Sequence, residues 1–409
     1  MSLRHTFVPA ACLVMLSAAV MVMLRAPAES ATLERDAVRT EGVERAHQVL
    51  SKTYEVDRKY RSMMGPWSQQ KIFLVEAEEP ELLWITGYKA VMVGEDGEQA
   101  MPQEFMCHSN LDINPSEHME RFRGRKAISG RLFTLSQGQF DIQLPQGFGI
   151  PLMSDEPLNL TTQVLNLNHE DQTFQVRHKV TVEFVRDRDV EGSMRPLFPS
   201  GVYGLVSLEG RPLHFGVPAD EGPPPQESSH STHAVNSGAV EHGEDHGLPE
   251  AAEGGMGPGC MIGQNAAQHE YQDPLGQRFT GHWVVEPGRE ENRTLVTKIL
   301  NLPFDTRVHY IAVHLHPFAE SLELVDLTRG TTVFKSHVRP AEKGIGIDHV
   351  EYFSSPEGLQ LHQDHDYELV SVYNNTSGEV QDSMAVMYLY LADVEFERPA
   401  AAQRAAVAQ

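Results

Sequence analysis

Short runs rich in Val, Ile, Leu, Phe and Tyr, separated by clusters of Gly, Pro, Asn and Asp, set the texture of this chain from Lys71 onward. Lys71–Val75, Leu82–Thr86 and Arg131–Leu135 are examples. The most regular run is Phe174–Val185, where Phe174, Val176, His178, Val180, Val182 and Phe184 occupy alternate positions. A period of two turns one face of a strand to a core and the other to solvent. Strands this short, broken by turn-forming residues, fit an antiparallel sandwich or jelly roll. The same texture resumes after Gly281-His-Trp-Val-Val285, with strands expected at Thr294–Leu300, Val308–His314, Leu322–Leu327, Thr331–Lys335, Tyr367–Tyr373 and Met384–Leu391. The expected fold is all-β: two tandem jelly-roll-like antiparallel β-sandwich domains, at 66–215 and 278–398, joined by a long His-rich acidic linker.

That linker, 216–277, is defined by composition. No Lys or Arg lies between Arg211 and Arg278, while the stretch carries Pro223–Pro225, ten Asp or Glu and six His, among them His230, His233, His242 and His246. It reads either as a loosely ordered metal-gathering segment or as a solvated acidic connection. At the other end, Arg4 precedes an apolar run from Phe7 to Leu24, and Ala26-Pro-Ala28 follows. Residues 1–28 have the pattern of a secretory signal. The alternative is an uncleaved anchor at 7–24, since the run is just long enough to span a bilayer. An exported protein, periplasmic or secreted, is expected on either reading, with membrane contact only through an uncleaved N-terminal segment. Residues 29–65 form a lead-in in which Val43, Ala46, Val49 and Leu50 sit at helical spacing, so a short helix is expected there. The tail, 399–409, is expected to fray. Lys and Arg total 33 against 57 Asp and Glu, a net charge of −24. Such a surface repels phosphate backbones and excludes a nucleic-acid binder.

Twenty His against three Cys direct attention to imidazole chemistry. Cys12 lies within the N-terminal apolar run. Cys107 and Cys260 allow one disulfide, two free thiols, or soft-metal ligation beside His108 and Met261. The sharpest feature is Val313-His314-Leu315-His316-Pro317. Residues i and i+2 of a strand share a face, so the two imidazoles project side by side, a spacing that suits one metal. Ordinary surface histidines are the alternative. In Asp382–Leu391 the alternation places Met384, Val386, Tyr388 and Tyr390 on one face and Ala385, Met387, Leu389 and Leu391 on the other. Met384 reads either as core packing or as a thioether ligand that favours Cu(I).

The order of a His-x-His strand, a long β stretch, and Asp-x-Met before an aromatic strand resembles the C-terminal domain of the copper type II, ascorbate-dependent monooxygenases. That family includes the peptidylglycine α-hydroxylating and dopamine β-hydroxylating enzymes. The resemblance is best over 294–392. It implies two jelly-roll domains, each with one copper. It assigns His314, His316 and Met384 to the catalytic copper that binds oxygen and substrate, and it matches Tyr388 to a family tyrosine. It further implies ascorbate or another external reductant and hydroxylation of a C–H bond. The family's electron-relaying copper uses an adjacent His pair and a later His. Here Cys107 stands in place of the first His, so that site is either incomplete, with His108 a strand-end His bonded to the backbone, or rebuilt from Cys107 and His108 with His169 or His178. Peptide-amidating members carry an Arg two positions before the first His. Ala312 stands there, which leaves a peptide carboxylate without its partner. The substrate, small molecule or peptide, is not specified. A non-catalytic copper buffer or carrier is the alternative function. His309, His337, His349, His362 and His365 read as surface or core histidines.

Overall fold

The computed structural model describes residues 43–122, 128–219 and 270–399. The expected signal or anchor, the first part of the lead-in (29–42), the histidines at 230–246, Cys260 and nearly all of the tail lie outside the described residues. No helix among the described residues is long and apolar enough to cross a membrane.

The described chain is all-β, built from three principal sheets. A long sheet orders its main strands as Arg45–Leu50, Phe174–Arg186, Leu82–Gly94, Phe148–Met153, Arg195–Tyr203, Ala385–Ala392, Thr306–Leu315 and Phe353–Leu361. A four-stranded sheet runs Trp67–Ile72, Leu158–Val164, Met106–Asp112, Arg131–Leu135. A five-stranded sheet runs Gly288–Leu295, Tyr367–Asn375, Ala319–Asp326, Thr331–Pro340, Ile347–Val350. Neighbours are antiparallel throughout, apart from a short parallel contact of Arg195–Pro196 with Phe148–Gly149. The two sandwiches share the long sheet. Arg195–Tyr203 of the first half pairs with Ala385–Ala392 of the second from Leu197 opposite Ala392 to Tyr203 opposite Val386.

Alternation explains which faces are buried. In Phe174–Arg186 the inward residues Val176, His178, Val180, Val182 and Phe184 are buried, while Arg177, Lys179, Thr181 and Glu183 between them are half-exposed. Each Val removed from water in this way contributes about 1.5–3 kcal/mol. From Val308 to Leu315, and along Ala385–Leu391, the strands are instead buried on both faces, so apolar residues stand on both sides. Tyr310, Ala312, Val386, Tyr388 and Tyr390 join the core of the first half. Ile311, Val313, Leu315, Ala385, Met387, Leu389 and Leu391 pack in the core beneath the five-stranded sheet.

Two expectations from local pattern are corrected. The lead-in is extended at Arg45–Leu50, not helical, because these residues pair antiparallel with Lys179–Phe184. A ready sheet edge outweighs a short helical periodicity, since one or two isolated turns are unstable in water. The strand expected at Thr294–Leu300 stops at Leu295, and Thr297–Leu300 forms one helical turn. Asn301 closes that turn in the left-handed conformation at φ 40°, which Asn tolerates better than most residues. The C-terminal end of the linker also has structure: Glu270–Gln272 pairs with Arg278–Thr280, which in turn pairs with Val206–Ser207.

Candidate metal centre

Two residues expected in separate domains meet between the halves of the molecule. His108 projects from Met106–Asp112 of the four-stranded sheet, and His314 from Thr306–Leu315 of the long sheet. Their Nε2 atoms lie 3.2 Å apart, and the rings are 0% and 3% exposed. His316 stands beside His314, with ring centroids 5.4 Å apart. Each ring is held through Nδ1. For His108 the neighbour is the Cys107 Sγ at 3.1 Å. For His314 it is the Ser136 Oγ at 2.9 Å. For His316 it is Asp382, whose carbonyl and Oδ2 both lie at 3.3 Å. Neighbours that fix Nδ1 orient an imidazole so that Nε2 is presented to a ligand. The His316 Nε2 lies 3.3 Å from the Ser62 Oγ.

Met384 directly precedes the Ala385–Ala392 strand. The ladder with Thr306–Leu315 ends at Leu315 opposite Ala385, and His316 and Met384 are the next residue on each chain. Tyr373 ties these two positions together. Its hydroxyl accepts from the His316 N–H at 3.2 Å and donates to the Met384 carbonyl. Burial raises the Tyr373 pKa, so the hydroxyl stays protonated and keeps donating.

Turn chemistry places the supporting groups. Ser136 and Gln139 bridge a tight turn in which Gly138 has φ +84° and a Cβ would lie 2.5 Å from the Ile347 Cγ2. Only Gly meets both demands. Gln139 leaves this turn to donate to the Tyr310 hydroxyl and accept from the Val313 N–H, fixing the His314 strand. On the other side, the loop carrying Ser62 includes Met63 at φ 69°, a backbone state that side chains usually avoid. Gln163 holds the loop, its Nε2 donating to the Met63 and Gly65 carbonyls at 2.9 Å each.

Electrostatics keep the two facing imidazoles, His108 and His314, neutral. Burial holds His108 and His314 well below the usual His range, and neighbouring imidazoles and Arg131 push the same way. Neutral rings have lone pairs to give. Burial pushes the Cys107 thiol up to about 12, and Cys107 is a free thiol. It faces the His108 Nδ1, the side turned away from His314.

The structure therefore brings His314, His316, His108 and Cys107 into one cluster, with Met384 just past the end of the ladder. It does not bring in the other two candidates for a rebuilt site. His169 pairs with Glu104 at 2.6 Å, and the His178 ring packs edge-on against Tyr54, centroids 5.9 Å apart. Sequence reasoning missed His282, buried with its ring 5.8 Å from that of His316, because it sits alone between strands with no spacing signal. Ser62, Ser136 and Tyr373 were equally silent. Among the described residues, no group of three or more His, Cys, Asp or Glu is placed to hold a metal ion. His108 and His314 converge as a pair, and a further donor must come from another residue type, which a thioether is.

No known protein family matches the chain, and no curated protein does. Among solved structures the chain is similar to the STIV MCP, at 10% identity and a TM-score of 0.28 over 86% of this chain and 97% of that one. It is also similar to PNGase F, a glycosylasparaginase from Flavobacterium meningosepticum, at 7% identity and 0.32 over 87% and 98%. The major capsid protein P2 from bacteriophage PM2 gives 8% and 0.28 over 85% and 100%. Likenesses this distant assign neither family nor activity.

Proposed function

We propose that this is an exported copper protein whose metal is held by His108 and His314, with the Met384 thioether as a further donor, and that it acts as a monooxygenase-like oxidoreductase. The observation that carries the reading is the facing pair of buried, neutral imidazoles, Nε2 to Nε2 at 3.2 Å, each with Nδ1 held by its own neighbour. Two imidazoles and a thioether form a donor set of borderline and soft character, which favours copper over Mg or Ca. Copper there would supply one-electron chemistry with O2 for hydroxylation of a C–H bond, given ascorbate or another external reductant. The residues themselves do three things. Cys107, Ser136 and Asp382 fix the rings, Tyr373 fixes the spacing of His316 and Met384, and the surrounding core excludes water. Export rests on the pattern of residues 4–28, and N-terminal sequencing of the mature protein tests it.

The near-complete burial of His108 and His314 favours a second reading, a copper buffer or carrier, because storage needs no open position for substrate. Metal analysis with oxygen uptake separates the two. Bound copper with ascorbate-dependent O2 consumption supports the enzyme, and bound copper without turnover supports the carrier. Copper content unchanged in His314→Ala refutes both. Met384→Leu conserves volume, so it should keep the fold and weaken Cu(I) binding more than Zn(II) binding.

A further inference from the structure

The face of the four-stranded sheet that carries His108 is polar yet buried. Along Met106–Asp112, Asn110 is two residues from His108 and shares its face. Its cross-strand neighbours are Thr134 and Thr161, and Gln163 pairs with His108. Asn110, Thr134, Thr161 and Gln163 are 0%, 4%, 6% and 0% exposed. Asp112 on the same face is neutralised by Arg131, which also donates to the Thr134 hydroxyl at 3.0 Å. Both amide atoms of Asn110 and the Oε1 of Gln163 have no hydrogen-bond partner in the protein. A buried carboxamide with neither atom bonded is heavily penalised. Such groups are few in native proteins, and each calls for an explanation, a bound group among them.

We infer that Asn110 and Gln163 form a binding subsite for a neutral primary carboxamide, adjacent to the metal centre. The demand is specific. Asn110 Oδ1 and Gln163 Oε1 each need a donor, and Asn110 Nδ2 needs an acceptor. A primary amide offers two N–H donors and one carbonyl acceptor. A carboxylate offers no donor, and the paired Asp112 and Arg131 leave no net charge to attract one. At two residues along a strand, roughly 7 Å, the subsite lies within reach of a small molecule that also touches the metal centre. This substrate class rests on the copper reading only for its chemical consequence, not for the binding itself.

The test uses the full chain and ligand-observed saturation-transfer NMR with acetamide, acetate and N,N-dimethylacetamide as probes, with copper content measured in parallel. Saturable binding is expected for acetamide alone. Asn110→Leu should reduce it at least ten-fold. The same variant should raise the Tm of the ligand-free protein by roughly 2–4 °C, since an apolar side chain of similar shape removes the unpaired group. Equal binding of acetamide and dimethylacetamide by the wild-type protein overturns the assignment even if the variant fails to fold. So does undiminished acetamide binding by the variant, or a lower Tm, which would mean that water already satisfies Asn110. Copper without amide binding sinks the subsite and leaves the metal reading standing. Amide binding without copper supports the subsite and sinks the metal reading.

Discussion

His178 offers a quantitative test of the first-half core. Its ring is fully buried, neither nitrogen makes a well-formed hydrogen bond, and burial pushes its pKa down to about 3, outweighing the Gln163 backbone, which favours the charged ring. The unfolded ring protonates below about 6.5. Between those values the unfolded state binds more protons, so stability falls as pH falls. The contribution is complete above about 6.5 and is lost progressively toward 3. At pH 5 the unfolded state has gained about 1.5 pH units of protonation, or about 2 kcal/mol at 1.36 kcal/mol per unit. The assay is guanidinium chloride unfolding of the wild type and His178→Leu at pH 7 and pH 5. The wild type should lose about 2 kcal/mol more than the variant between the two. Equal losses in the two proteins would falsify the claim that this ring stays neutral in the folded state.

Other perturbations follow from the same contacts. Tyr373→Phe removes the partner of the His316 N–H and the Met384 carbonyl, and should lower stability by about 1–3 kcal/mol and weaken copper retention, read by unfolding and dialysis against a chelator. Arg131→Met leaves the buried Asp112 carboxyl without its cation. A loss of about 3–5 kcal/mol is expected, and a loss under 1 kcal/mol would mean that Asp112 is already protonated. Gly65→Ala places a Cβ 1.9 Å from the Val164 carbonyl oxygen. The Ser62 loop must then move, and a lower Tm with weaker metal binding is the expected result.

How much of this was legible in the sequence depends on the range of the interaction. The alternation of Phe174–Phe184 and of Met384–Leu391 predicts which residues face together, because a strand's period is local. His314 and His316 stand out for the same reason. The meeting of His314 with His108 was not legible. It depends on how the Thr306–Leu315 strand lies over the four-stranded sheet, which is set by packing of distant segments such as Tyr390 on Phe133 and the Tyr390 hydroxyl bonded to the Leu132 carbonyl. Two separate metal positions were a natural reading of two separate stretches. Arg45–Leu50 misled because an edge strand with one face in water needs no strong apolar alternation. Asn110 gave no signal, since an Asn in a strand is unremarkable until its burial and lack of partners are seen.

The shared sheet also has a consequence for biosynthesis. Ala385–Ala392 lies at the centre of that sheet, between Arg195–Tyr203 and Thr306–Leu315, yet it is the last strand of the described chain. A ribosome delivers the middle of the structure after its flanks. Until then Arg195–Tyr203 and Thr306–Leu315 each expose an edge that could recruit another copy. Closing contacts over so long a stretch of chain is slow. The facing imidazoles thus depend on a strand made late, so a nascent chain halted before residue 385 should carry the His-x-His pair but no assembled centre.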